Sequence, residues 1–198
     1  MGLELIYEDG QTPLSEEEKD GLLIKTITNH GELDENEQLN IENAIEWLMN
    51  QKLKKDKILT ENFIITLHKK MFNKVWSWAG EFRKSEKNIG VKWINIRTDL
   101  KVLLDDTIFW IENETYPPDQ IAITFKHRLV NIHCFPNGNG RHSRIMADII
   151  IESVFRKEIF SWNSSNMVKA DEIRAKYILS IREADKGDIQ PLIKFART

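Results

Sequence analysis

Apolar residues recur along this chain at spacings of three and four rather than two, and each run that carries them predicts a helix. Ser15 with Glu18 three positions on reads as a capping box that starts a short helix, and the stretch around Thr26 to Gly31 reads as a break. Asp34, with Glu37 at the third position, then caps a helix to about Asn50, with Leu39, Ile41, Ala44, Ile45, Trp47 and Leu48 over a broad face. Lys52 to Lys57 reads as a basic, solvated turn. Thr60 opens the next helix, with Phe63, Leu67 and Met71 at spacing four and Ile64 and Phe72 beside them. Leu100, Leu103, Leu104, Ile108 and Ile111 mark Asp99 to Glu112, which Tyr116-Pro117-Pro118 terminates.

Ile121, Phe125 and Leu129 predict a helix from Pro118 to Asn131, and Ile145, Ala147, Ile149, Ile150, Val154 and Phe155 predict one from Arg141 to about Phe155. After a polar break at Ser161 to Asn166, Ile173, Tyr177 and Ile181 mark Val168 to Ala184, and Gly187 to Phe195 closes the chain. Two stretches break the helical pattern. Trp76 to Arg83 sets aromatics around Gly80 and predicts a loop packed onto the core. Asn88 to Ile94, β-branched and aromatic around Gly90, predicts a short β-hairpin.

With 198 residues, 41% hydrophobic, the chain suits one well-packed domain or one domain with a small appendage. Lys plus Arg number 28 against 31 Asp plus Glu, so there is no basic footprint for nucleic acid. No apolar run approaches the roughly 20 residues of a membrane span. The first residues, Met1 to Asp9, lack the basic and apolar regions of a signal peptide. A single cysteine fits a reducing compartment, and the expectation is a cytoplasmic protein.

Chemistry concentrates in His133-Cys134-Phe135-Pro136-Asn137-Gly138-Asn139-Gly140-Arg141-His142-Ser143-Arg144. A glycine-rich turn leads into a helix, so the main chain of Gly138, Asn139 and Gly140 can turn N–H groups toward an anion at the positive end of that helix. Arg141 and Arg144 share one face of its first turn, where the dipole favours acids, so an anion must offset them. From Gln120 to Ala147 there is no Asp or Glu at all. His133 is the group that takes a proton near neutral pH, hence the expected general base, while Phe135 anchors the loop in the core. A base, a phosphate cradle and two arginines suit transfer from a nucleotide to a hydroxyl.

Other readings fit less well. A dinucleotide fingerprint fails because Ser143 stands at the third glycine position and a helix precedes the loop; no P-loop motif occurs. Cys134 adjoins His133, but adjacent side chains diverge. His127, His133 and His142 lack zinc-site spacing; His127 reads as a packing or surface residue and His142 as a partly exposed one.

The motif resembles the Fic-family signature H-x-F-x-(D/E)-G-N-G-R-x-x-R at every fixed position except Asn137. Gly187-Asp188-Ile189-Gln190-Pro191-Leu192 is similar to the family's G-D-x-x-P-L segment, and His133 to Asp148 looks like the subgroup called mobile mystery protein B. The resemblance implies an all-α, Fic-like helical bundle with a small β-hairpin flap, in which residues 59–198 form the Fic domain and 1–58 an N-terminal helical extension. It implies AMP transfer from ATP to a Ser, Thr or Tyr hydroxyl of a target protein. His133 would be the base, Gly138, Asn139 and Gly140 the anion hole, Arg141 and Arg144 the phosphate ligands, and Ile89, Gly90 and Val91 the target-binding flap. Where the family has an acid that holds Mg²⁺, this chain has Asn137, whose neutral oxygen holds a hard cation less well.

An inhibitory helix of pattern (S/T)-x-x-x-E-(G/N) is matched by Gln38 to Asn43 at Glu42 and Asn43, so Glu42 is the expected inhibitory residue, reaching Arg144. The alternative to an enzyme is a catalytically weak Fic-like module that binds a nucleotide or partner. A homo-oligomer is left open.

Overall fold

The computed structural model describes residues 12–163 and 170–198, and every regular element among these is helical. The N-terminal lead-in, part of the break at Ser161 to Asn166 and the start of the helix expected at Val168 lie outside the described residues. α1 (Glu16–Asp20) carries the expected capping box: Ser15 Oγ accepts from the Glu18 N–H at 3.2 Å, and the Glu18 carboxylate accepts from the Ser15 N–H at 2.8 Å. Such a cap contributes about 1 kcal/mol.

α2 (His30–Met49) begins earlier than Asp34 predicts. Asn29 accepts from the Glu32 N–H at 3.0 Å, and the Glu32 carboxylate accepts from the Thr28 N–H at 2.8 Å, so a reciprocal cap forms upstream and Asp34 lies inside the helix. The buried face is consequently Leu33, Glu37, Asn40, Ile41 and Ala44, while Leu39 and Ile45 are exposed. α3 (Lys55–Ile58) is a single turn within the basic stretch and buries Ile58. α4 (Glu61–Phe72) starts at Thr60 as expected, Thr60 accepting from the Phe63 N–H, and packs along α2. Asn40 joins them, donating to the Lys70 carbonyl at 2.9 Å and accepting from the Lys74 N–H at 2.8 Å.

A 3₁₀ turn, Trp93–Asn95, leads into α5 (Ile96–Glu112), which packs on α6 (Pro118–Ile132). α6 packs in turn on α7 (Asn139–Ile149). α7 does not run to Phe155 as a regular helix, because Ile150–Val154 widen into a π turn. α8 (Ala170–Asp185) and α9 (Gln190–Arg197) pack together, and α9 also reaches α6. The core centres on Leu67, Leu100, Leu103, Phe125, Phe135 and Met146, all fully buried. Each such side chain contributes about 1.5–3 kcal/mol through the apolar surface it removes from water. No described helix is long and apolar enough to cross a membrane.

The expected β-hairpin at Asn88 to Ile94 is absent: the described residues hold one isolated bridge, Leu22 with Trp76, and no strand. The groups a hairpin would pair are taken elsewhere. The Val91 N–H donates to the Ile132 carbonyl at 3.4 Å, and the Val91 carbonyl accepts from the Arg83 guanidinium. The segment is a bent loop laid against the end of α6.

Candidate active site

The turn between α6 and α7 is fixed by polar contacts before any ligand arrives. α6 ends because His133 adopts a left-handed conformation, φ 55°. Two residues on, Phe135 enters the core as expected and stacks on His68, ring centroids 3.7 Å apart. Asn139 closes the loop by exchanging hydrogen bonds with Phe135, accepting from its N–H at 3.0 Å and donating to its carbonyl at 2.8 Å. The Asn139 amide is therefore a staple, and only its main chain is available to an anion. His68 accepts from the Gly80 N–H through Nδ1 at 3.0 Å, which leaves Nε2–H to donate to the Asn137 carbonyl at 3.0 Å. Burial holds this imidazole well below its ordinary pKa and preserves that neutral arrangement.

Of the motif glycines, Gly138 takes positive φ, 77°, and a Cβ there would lie 2.5 Å from the Phe72 ring. Gly140 has an ordinary backbone inside α7, and a Cβ on it would meet nothing within 4 Å. Of the two glycines only Gly138 turns the loop, and Gly140 keeps open space beside the helix N-terminus. A cleft of about 870 Å³ lies above them, lined by Ile89, Gly90, His133, Gly138, Gly140, Arg141 and Arg144 from the motif side, and by Arg174, Tyr177 and Ile181 of α8.

His133 is 4% exposed, and both ring nitrogens are buried without a hydrogen-bond partner. Burial first, then the charges of Arg83 and Lys87, push its pKa down to about 4, so at neutral pH the imidazole is an unprotonated base. Cys134 is unsuited to nucleophilic work: burial pushes its thiol up to about 12.

The two arginines meet different partners. Arg141 pairs with Glu37 of α2 at 2.5 Å, and Glu37 also accepts from Trp76 Nε1 at 2.5 Å. Arg144 stacks on the Tyr177 ring, 4.4 Å from its centroid, and its buried Nε has no partner. Tyr177 Oη accepts from Lys126 Nζ at 2.5 Å; that lysine is fully buried in α6.

Glu42, expected at the cleft, is exposed and accepts from the Gln38 side chain at 3.1 Å; the acid of α2 that reaches a motif arginine is Glu37. The helix starts upstream of Asp34, so Glu37 is no cap and falls on the Leu33–Ile41 stripe, 3% exposed. A carboxylate on an apolar stripe was the sequence signal for it. His142 is buried rather than partly exposed, its Nε2 bonded to the Ile64 carbonyl at 3.0 Å. His127 pairs with Asp185 at 2.7 Å. Of the expected flap, Ile89 and Gly90 line the cleft, and Val91 is tied to Arg83.

Residues 58–151 match the sequence model of the Fic/DOC family. Two curated relatives are similar over 175 residues, 86% of this chain: a protein adenylyltransferase Fic from Aedes aegypti, 25% identical, and one from Drosophila virilis, 26% identical. The aligned part spans 32% and 33% of those relatives, so this chain corresponds to about a third of their length. Among solved structures, the BepC protein of Bartonella tribocorum, determined with bound AMPPNP, superposes with TM-score 0.69 at 14% identity over 92% of this chain and 97% of that one. Fic-1 from C. elegans superposes with TM-score 0.65 at 21% identity over 83% of this chain and 48% of that one. These structural likenesses establish the fold.

Proposed function

We propose, from the match of residues 58–151 to the Fic/DOC family, that this chain is a protein adenylyltransferase, moving AMP from ATP to a Ser, Thr or Tyr hydroxyl of a target protein. His133 takes the hydroxyl proton, the freed oxygen bonds to the α-phosphorus, and the bond from that phosphorus to the pyrophosphate oxygen breaks. Charge on the phosphates is met by the N–H groups at the start of α7 and by Arg144. The observation that carries this reading is the buried, neutral imidazole of His133, with only the Val130 carbonyl near it, lining the same cleft as that helix N-terminus. His133→Ala is expected to lower label transfer from ATP by roughly 10²–10⁴-fold while nucleotide binding persists. A mutant that labels at the parent rate overturns the assignment.

The chain's own donors do not fit a metal site. The Asn137 side-chain oxygen accepts from the Gly138 N–H at 2.5 Å, and no three His, Cys, Asp or Glu of the described residues gather to hold an ion. Mg²⁺, where the reaction uses it, belongs with the phosphates of ATP. We read residues 59–198 as the catalytic unit and 1–58 as a restraining extension, the restraint supported by Glu37 on Arg141. The partner is the first motif arginine rather than the second. Asn137, in the tract from His133 to Asp148, supports membership of the mobile mystery protein B subgroup, and the lone buried cysteine suits the cytoplasm.

A further inference from the structure

The loop from Trp76 to Arg83 reads in the sequence as a packed connector, yet it ends on an arginine that the reaction above leaves unused. Arg83 is 2% exposed. Its guanidinium donates to main-chain carbonyls from three parts of the chain: Nε to His133 at 2.6 Å, Nη1 to Ser85 at 2.8 Å, and Nη2 to Val91 and, at 3.5 Å, to Ile132. Its own N–H donates to the Cys134 carbonyl at 2.9 Å. The nearest carboxylate, Glu86, stands 3.9 Å away on a side chain 60% exposed. So deep a charge is held chiefly by carbonyls, two of them at the negative end of α6, which the left-handed turn at His133 leaves without helical donors.

Gly90 seals the same junction. Its φ is 103°, and a Cβ on it would lie 2.7 Å from the His133 Cβ and 2.8 Å from Arg83 Nη2. The loop, the arginine and the histidine therefore interlock with no spare volume.

We propose that Arg83 is a positioning residue for the base: it fixes the left-handed turn that aims His133 into the cleft and ties the Gly90–Val91 edge to that turn. The base and the surface beside it then move as one body. The proposal rests on His133 acting as base, and its planar fork is what a lysine cannot reproduce. The charged groups facing His133 are Arg83 and Lys87 from the loop and Glu18 from α1, with Lys87 paired to Glu18. Arg83 is thus also the main charge that keeps the imidazole unprotonated.

The test uses the full chain with Arg83→Gln and Arg83→Lys, reading the His133 ring titration by NMR, assigned against His133→Ala. Affinity for a non-hydrolysable ATP analogue and label transfer are read alongside. Arg83→Gln is expected to move the His133 midpoint up by about one pH unit. It should lower transfer by about 10²-fold, the cost of a base displaced by an ångström, with analogue affinity held within about twofold. Arg83→Lys keeps the low midpoint but not the transfer. A folded Arg83→Gln with unchanged midpoint and transfer within about threefold overturns the proposal, as does an equal loss of analogue affinity. If Arg83→Gln does not fold, Gly90→Ala decides, since its Cβ presses on both His133 and the Arg83 guanidinium: transfer lost with affinity kept supports the interlock, and parent-like transfer overturns it. The titration arm reads out even if the chain transfers no AMP, which separates failure of this proposal from failure of the adenylyltransferase reading.

Discussion

Arg141 and Arg144 stand on the same turn of α7, and the two walls of the cleft treat them differently. On the α2 wall, Arg141 has a carboxylate, Glu37, which Trp76 holds in place. On the α8 wall, Arg144 has a phenol, and the phenol is already shared with buried Lys126. One wall sets a carboxylate directly on its arginine, while the other sets Lys126 and Arg144 around a phenol oxygen, with Asp185 and Asp148 as their less direct counter-charges, and leaves the Arg144 Nε unpaired. A buried guanidinium N–H without an acceptor is costly, and an arriving phosphate supplies one. The α8 wall is therefore built to receive an anion. The α2 wall has an anion of its own, which a substrate must displace.

Arg144→Ala should break the comparison most severely. Losing charge-assisted hydrogen bonds worth about 1.5–3 kcal/mol weakens ATP binding by roughly 10–150-fold, measurable by calorimetry. Glu37→Gln comes next. Arg141 is partly exposed and its ion pair is screened, so freeing it contributes about 1 kcal/mol, or roughly fivefold more labelling at ATP well below saturation. Arg141→Ala should change the parent by less than about twofold, yet cancel the gain when combined with Glu37→Gln; a large loss in the parent would show that Glu37 does not occupy it.

The smallest effect is one of pH. Burial opposes ionisation of Tyr177, but Lys126 and Arg144 outweigh it and hold the phenol below its ordinary value. The neutral phenol persists at low pH and becomes an anion as pH rises, neutralising Arg144. ATP affinity should therefore fall on the alkaline side in the parent and stay level in Tyr177→Phe, titrated at constant ionic strength.

How far this was legible in the sequence differs along the chain. Pro118, the spacing of Ile121, Phe125 and Leu129, and the glycine-rich turn sufficed to locate α6, the loop and α7, because helix signals and turn residues are local. Glu37 was hidden by a local signal that competed: Asp34 with Glu37 looks like a cap, and the chain used Asn29 and Glu32 instead. The strand-like Asn88 to Ile94 failed for a different reason. Its main-chain groups are claimed by Arg83 and by the end of α6, at a sequence distance that no periodicity reports. His68 and Lys126 look like ordinary helix residues until burial and partners are known.

Gly138 and Gly140 look interchangeable in the motif, yet they should tolerate inherited change very differently. At Gly138 any side chain meets both a left-handed backbone and the Phe72 ring, so a saturation library is expected to lose every substitution there through folding, whatever the assay. At Gly140 the protein sets no obstacle to a methyl group. Gly140→Ala should fold and express like the parent, and any selection against it comes from the ligand's approach to the main chain. Comparing survival at the two positions with and without a demand for activity separates what the fold requires from what the substrate requires.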